Sequence, residues 1–345
     1  MSKFLRRNIQ NLKSYEPGEQ PKEGGFIKLN TNENAYPPSP AIGKAMMDLL
    51  ADSLRLYPDP VCLKLREALA EVHNYRVEQI FVGNGSDEVL AMCVREFVEA
   101  SGSVGFFEPS YSLYPVLADI AGVAAKPVRL WPDFTWNMPA DYEASLFFMA
   151  NPNAPTSIQY PKEAIQAFCR KFQGVVLIDE AYADFARYNC VDLALSMDNV
   201  LVGRTLSKSY SLAGLRVGYV IGSEELINGF YKIKDSYNVD RAAQELALAA
   251  VRDQAHMKAN VAKIKATRAR VGGALARMGF EVCPSDSNFL WVKPARLKAD
   301  ELFQRLRENK ILTRYFPGEL TGAYLRITIG TDEQMDQLLA VLERI

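Results

Sequence analysis

From residue 80 onward the chain alternates short apolar runs with stretches whose apolar residues recur at helical spacing. "QIFVG", "GSVGFF", "AAKPVRL", "SLFFMA", "VVLID", "NVLVG" and "RVGYVIG" read as strands, while "SDEVLAMCVREFV" and "YSLYPVLADIAG" read as helices. The strand runs are continuously apolar, which is the pattern of strands covered on both faces. Strands alternating with helices predict an α/β fold, a mainly parallel sheet with helices on both faces. Upstream, "SPAIGKAMMDLLADSL" reads as a helix opened by Ser39 and Pro40, and "VCLKLREALAEVHN" as an amphipathic helix. The first forty-odd residues, rich in Pro, Gly, Asn and Glu, read as an extended arm with turns. From about residue 240 one long helical region, "RAAQELALAAVRDQAHMKANVAKIKATRARVGGALARM", precedes "NFLWVK", "ADELFQRLREN", "ILTRYF", "YLRITIG" and "DEQMDQLLAVLERI". That pattern predicts a smaller α+β domain. The expected division is an arm over residues 1–45 that joins the small domain, a large domain over 46–238 and a small domain over 239–345.

Composition narrows the function classes. The 345 residues suit two domains, and 48% hydrophobic with 23% charged residues is an ordinary globular balance. A net charge of -1 argues against a general nucleic-acid surface or a polybasic membrane anchor. No apolar run is long enough to span a bilayer, and the N-terminus lacks an apolar signal core, so the expected location is the cytoplasm. The five cysteines, Cys62, Cys93, Cys169, Cys190 and Cys283, contain no C-x-x-C and read as reduced structural thiols. With only His73 and His256 in the chain, a His/Cys zinc site and a Ser-His-Asp mechanism are both disfavoured, and no metal is expected.

Ligands of parallel α/β sheets bind beyond the carboxyl ends of the strands. Five polar clusters fall there: "GNGSDE", "EPSY", "NPNAPTS", "DEAY" and "TLSKSYSLAGLR". The first is not a dinucleotide fingerprint, because Glu88 stands where the third glycine belongs. It remains a tight turn into a helix N-terminus, where the free amides of Ser86 and Asp87 suit an anion such as phosphate, or where those residues simply cap the helix. "VVLIDEAY" lacks the P-loop partner of a nucleotide hydrolase. Asp179 is left as a carboxylate at the end of an apolar strand, costly when buried unless a cation, a protonated heterocyclic nitrogen for example, or a hydrogen-bond donor meets it. In the last cluster Lys208 lies among Thr205, Ser207 and Arg216. An amine nucleophile must shed its proton, so its pKa must fall from about 10.4, which a cationic neighbour and partial burial would achieve. Hydroxyls with an arginine would hold a phosphate. A solvated polar loop would also tolerate this composition.

Taken together, a phosphate cradle, a strand-end carboxylate, a phenol after "DEA" and a shielded lysine are the protein parts that pyridoxal phosphate needs. The chain resembles the aspartate-aminotransferase-like, fold-type-I pyridoxal-phosphate enzymes, and within them the histidinol-phosphate aminotransferases. The likeness runs through "YEPGEQ", "LNTNENAYPPSP", "LYPDP", "GNGSDE", "NPNAPTS", "LIDEAY", "TLSKSYSLAGLRVGY", "SNF" and "YLRITIGT", nearly the whole chain. The resemblance implies pyridoxal 5'-phosphate as cofactor and amino transfer between histidinol phosphate and glutamate/2-oxoglutarate. It implies Lys208 as the Schiff-base lysine, Asp179 on the pyridine nitrogen, Tyr182 on the ring hydroxyl and Tyr111 on the ring face. Ser86, Asp87, Thr205, Ser207 and Arg216 would hold the phosphate, and Tyr57 would reach it from a second subunit, making a homodimer. Arg326 would take the substrate's carboxylate or phosphate and Tyr15 would close over the imidazole end. Arg314 and Arg326 also lie on adjacent strand candidates, where paired guanidiniums suit a phosphate or carboxylate, or else surface salt bridges.

The chain departs from the family pattern in places. "NPNAPTS" puts Ala154 where an asparagine usually meets the ring hydroxyl, leaving Asn153 to serve if the loop is shifted, and Ser157 replaces a glycine. Ser209 and Ser211 stand where Ala and Gly are frequent. Alternative readings are an aromatic amino acid aminotransferase, a phosphothreonine-type decarboxylase on the same scaffold, and a cofactor-binding module without catalysis.

Overall fold

The computed structural model describes residues 3–345. Strands run in chain order as β1 (Ile27–Lys28), β2 (Ile80–Gly83), β3 (Ser103–Glu108), β4 (Ala124–Arg129), β5 (Leu146–Ala150), β6 (Val175–Asp179), β7 (Val200–Thr205), β8 (Gly218–Ile221), β9 (Glu281–Val282), β10 (Phe289–Lys293), β11 (Ile311–Leu312), β12 (Arg314–Tyr315) and β13 (Leu325–Thr328). The seven strand runs of the first half form one sheet in the order β2-β8-β7-β6-β5-β3-β4. This is the mainly parallel α/β sheet that the periodicity predicts. β8 alone runs antiparallel to both neighbours. Only a short 3-10 turn, Ala213–Leu215, lies between β7 and β8. A parallel return needs a longer crossover, usually a helix, so this strand comes back antiparallel.

Alternate side chains explain why the runs are continuously apolar. Phe147, Met149, Val176, Ile178, Val200 and Val202 face one core, while Leu146, Phe148, Leu177 and Leu201 face the other. The first core is covered by helices Leu63–His73 and Lys162–Lys171, the second by Ser86–Phe97, Leu113–Ala121 and Glu224–Ile233.

The single long helical region expected after residue 240 is two helices, Arg241–Arg252 and Gln254–Arg277. The break is Asp253, with φ -98° and ψ 63°, whose carboxylate accepts from the His256 N–H and from the Ser39 hydroxyl. An Asx cap competes with helical continuation because it satisfies the next helix's first amides. Ser39 also accepts from the Ala41 N–H, and the helix it opens ends at Asp48, before a 3-10 turn over Ala51–Arg55.

A second sheet, in the order β12-β13-β10-β9, is antiparallel throughout. β1 pairs parallel with β11, and the Thr328 N–H donates to the Leu29 carbonyl. The N-terminal segment is thereby laid along the second sheet and carried across to the first. No helix among the described residues is long and apolar enough to cross a membrane.

Candidate active site

A cavity of about 180 Å³ opens at the carboxyl edge of the seven-stranded sheet. All five polar clusters that follow strands contribute to its wall, and the opposite wall comes from the N-terminal segment and the second sheet. Twelve of the fourteen residues predicted from the sequence line it: Tyr15, Ser86, Asp87, Tyr111, Asp179, Tyr182, Thr205, Ser207, Lys208, Arg216, Arg314 and Arg326.

Asp179 is the last residue of β6 and is buried. Its carboxylate accepts from the Tyr114 hydroxyl at 2.8 Å and from the Ala181 N–H at 3.2 Å. Burial pushes its pKa up to about 6, against the pull of those two donors. At neutral pH it is therefore an anion in a dry place, with space in front of it.

Lys208 is half-buried, and its Nζ donates to the Thr31 carbonyl at 3.3 Å and lies 6.0 Å from the Tyr182 ring centroid. Burial, and then the Arg326 charge, bring its pKa down to about 8. The loop that carries it is pinned from two sides. Asn34 donates to the Lys208 and Ser209 carbonyls at 2.9 and 3.2 Å, and Ser209 donates to Asp184 at 2.5 Å. Asp184 and the buried Glu180 share the buried Arg204, at 2.9 and 2.8 Å. Side chains alternate along a strand, so Asp179 and Thr205 can face the cavity while their neighbours Glu180 and Arg204 pair on the other side.

The helix Ser86–Phe97 points its N-terminus at the cavity, with Gly85 at φ 84° as its cap. A Cβ on Gly218 would fall 2.4 Å from the Ser86 nitrogen, so only glycine lets β8 lie against this helix start. Around it stand Thr205, whose hydroxyl donates to Ser207 at 2.9 Å, and Arg216, whose guanidinium meets Asp87 at 3.1 Å. Free amides, hydroxyls and a guanidinium converging on one point form a cradle for a phosphate. Tyr111 donates to Asp87 at 3.1 Å and meets the Tyr15 ring edge-on, with centroids 5.8 Å apart.

Arg314 and Arg326 sit directly opposite one another on β12 and β13. Neither pairs with a carboxylate among the described residues. Arg314 donates to the Glu16 and Pro17 carbonyls, Arg326 to the Asn30 carbonyl at 3.0 Å, and both guanidiniums lie 5.2 Å from the Phe316 ring centroid. Burial and the Arg314 charge depress the Arg326 pKa, leaving a cation that gains from an anion in front of it.

Two predicted residues stand apart. Tyr57 is 75% exposed and stacks on Tyr237, centroids 4.3 Å apart, outside this chain's cavity. Asn153 is fully buried, and its carboxamide is spent inside its own loop. It donates to the Pro109 carbonyl and the Thr156 hydroxyl, both at 3.0 Å, and accepts from Ser110 at 2.6 Å. Ala154, not Asn153, lines the cavity. Ser157 takes φ 66°, the left-handed conformation that favours glycine, with its hydroxyl donating to the Pro284 carbonyl at 3.0 Å.

Sequence reasoning missed Asn32, Tyr114 and Phe316. Asn32 and Phe316 line the cavity, Asn32 donates to the Tyr182 hydroxyl at 2.9 Å, and Tyr114 holds Asp179. The "LNTNEN" stretch carried a signal for Asn32. Tyr114 carried none, since it reads as one more apolar residue of a helix.

The sequence pattern of the family "Aminotransferase class I and II" matches residues 25–342. The chain is 45% identical over 352 residues to the histidinol-phosphate aminotransferase of Chromohalobacter salexigens, covering 100% of this chain and 99% of that one. It is 43% identical over 340 residues to the histidinol-phosphate aminotransferase of a Synechocystis species, covering 98% and 97%. Its fold is similar to the solved structure of the histidinol-phosphate aminotransferase from Sinorhizobium meliloti in complex with pyridoxal-5'-phosphate, with a TM-score of 0.89 and 26% identity, covering 100% and 98% of the two chains.

Proposed function

The chain belongs to the class I and II aminotransferases and, within them, to the histidinol-phosphate aminotransferases, and we propose that its cavity moves an amino group between histidinol phosphate and the glutamate/2-oxoglutarate pair in histidine biosynthesis. It is a pyridoxal 5'-phosphate enzyme. The observation that carries the substrate reading is the pair Arg314 and Arg326, paired with no carboxylate among the described residues and lining the same cavity as Lys208.

The residues present fit the cofactor. The start of helix Ser86–Phe97, Thr205, Ser207 and Arg216 suit its phosphate, and buried Asp179 suits a protonated ring nitrogen. Tyr182 suits the ring hydroxyl and Tyr111 the ring face. When bound, the cofactor supplies an electron sink for the substrate's carbanion.

The chain's own residues do the rest. A pKa near 8 keeps a sizeable fraction of Lys208 neutral at physiological pH, able to attack through Nζ and later to take and return the substrate's proton. Asp179 stays ionised above pH 6 and can hold a proton on the ring nitrogen. Arg326, with Arg314 beside it, binds the phosphate of one substrate and the carboxylate of the other, so one site serves both half-reactions. Tyr15 and Tyr111 narrow the mouth and keep water from the reacting atoms.

Tyr57 acts, in this reading, across a homodimer. Met46, Met47, Leu50, Leu54 and Leu56, in the segment that leads to it, are also exposed, apolar side chains that a second copy would cover. We read residues 1–45, 46–238 and 239–345 as arm, large domain and small domain, working in the cytoplasm.

The test is amino transfer to 2-oxoglutarate from histidinol phosphate, histidinol and phenylalanine, with carbon dioxide measured in parallel. Histidinol phosphate should be preferred by at least tenfold in kcat/KM, since a charge-assisted contact between the partly buried guanidinium pair and its anion is worth more than about 1.4 kcal/mol. Equal rates with histidinol would overturn the substrate. Phenylalanine preferred would favour the aromatic reading, and carbon dioxide release the decarboxylase.

A further inference from the structure

Asn32 has φ 56°, in the left-handed region, and is buried to 1% exposure. A buried asparagine in that conformation is held there by its partners, and here the partners have a fixed direction. The Asn32 backbone N–H can only donate, and it donates to the Thr328 hydroxyl oxygen at 3.0 Å. The Thr328 hydrogen then goes to Asn32 Oδ1, also at 3.0 Å. With Oδ1 occupied as an acceptor, Nδ2 is the atom turned to Tyr182, and it donates to the tyrosine hydroxyl at 2.9 Å. The Tyr182 oxygen therefore accepts from Asn32, and its own hydrogen is left for another acceptor in the cavity that both residues line. Reversing the amide would put two donors on Thr328 and draw the Tyr182 hydrogen away from the cavity.

We propose that Thr328 and Asn32 are positioning residues, a two-residue relay that fixes the Tyr182 hydroxyl as a donor into the cavity, toward the ring oxygen of the cofactor. The inference rests on the pyridoxal-phosphate reading above. It matters here because Ala154 offers the cavity no side-chain donor and the Asn153 amide is consumed elsewhere. Tyr182 is left to stabilise the ring oxygen's negative charge, and a tyrosine stabilises it only when its hydrogen faces that way. Burial keeps the phenol protonated, so it has a hydrogen to give. The second sheet, through Thr328, thus sets a proton direction in the turn that follows β6 of the first sheet.

The readout is the pH midpoint at which the visible band of the cofactor-loaded protein changes from its protonated to its deprotonated form. Tyr182→Phe should raise that midpoint by about one unit or more, the worth of a charge-assisted hydrogen bond. Thr328→Val is isosteric and neutral; it frees the Asn32 amide to turn and should raise the midpoint in the same direction. Thr328→Ser keeps the hydroxyl and should restore the wild-type value. The charged groups around Tyr182, namely Arg326, Asp179 and Lys208, with Glu33, Asp87 and Arg216 beyond, are the same in all of these proteins and cancel in the comparison.

The decisive arm is Thr328→Val in a Tyr182→Phe background, where the relay has nothing to direct and no further shift is expected. A Thr328→Val shift of equal size in both backgrounds, or no shift in either, overturns the relay and leaves the cofactor assignment standing. A wild-type protein with no visible band after incubation with pyridoxal 5'-phosphate overturns the cofactor reading itself, and the relay with it.

Discussion

Replacing Asp179 by Asn should make the cofactor-free protein more stable while removing most of its turnover. The carboxylate's pKa stands at about 6 in the folded chain against 3.8 without the fold, chiefly because it is buried. Keeping it ionised at pH 8 therefore costs about 3 kcal/mol. Asn removes that cost. Its single oxygen, however, can serve either the Tyr114 hydroxyl or the Ala181 N–H, which the carboxylate serves together. Losing one such bond costs about 1 kcal/mol, so the expected gain is about 2 kcal/mol. The folded-state pKa is raised, so ionisation weakens the fold as pH rises from about 4 to 6; the advantage of Asn is complete above pH 6 and absent below about pH 4. The assay is the urea midpoint of wild-type and Asp179→Asn protein, both stripped of cofactor, measured from pH 4 to pH 8. An advantage that does not grow across that window, or a variant less stable at pH 8, would refute the argument. Adding cofactor should reverse the order, because the wild-type carboxylate then has a cation to meet. Such an exchange of stability for activity is what a functional buried charge predicts.

Three further outcomes follow from the same geometry. Borohydride treatment of the loaded protein should fix the cofactor on the peptide carrying Lys208, and a label on any other lysine would sink that assignment. Tyr57→Ala and Lys208→Ala proteins, each inactive, should regain partial activity when mixed under subunit exchange; no recovery with exchange confirmed would mean that Tyr57 serves its own chain. Arg326→Ala should lower kcat/KM for both histidinol phosphate and glutamate by about a hundredfold, the cost of about 2.7 kcal/mol for a lost charge-assisted contact, and a loss confined to one substrate would separate the two anion roles.

Six of the seven strand runs were legible because they are buried nearly throughout and so are largely apolar; the seventh, β4 at the sheet edge, is exposed except at Val128 and was legible from its neighbours' rhythm. The five polar clusters were legible because in an α/β sheet they must gather at one edge. Less readable were features set by hydrogen bonds to single atoms. The break at Asp253 depends on its capping of His256 and on Ser39, 214 residues away. The expectation that Asn153 reaches the ring assumed a loop in which its amide was unspoken for, and that amide is instead satisfied by Pro109, Thr156 and Ser110.

Local sequence thus determined which segments are strands and helices, and which residues carry an amine, a carboxylate or a guanidinium to the sheet edge, because burial and periodicity act along a few neighbouring residues. Tertiary structure alone decided the state of those groups. Lys208 falls to about 8 because the fold buries its amine and then brings Arg326 of the second sheet near it, and Asp179 rises to about 6 because helix and sheet close around it. The direction of the Tyr182 hydrogen is set by Thr328, 146 residues further along the chain. Charge and hydrogen-bond polarity act through space over a few ångströms, and which residues stand that close is fixed by the fold.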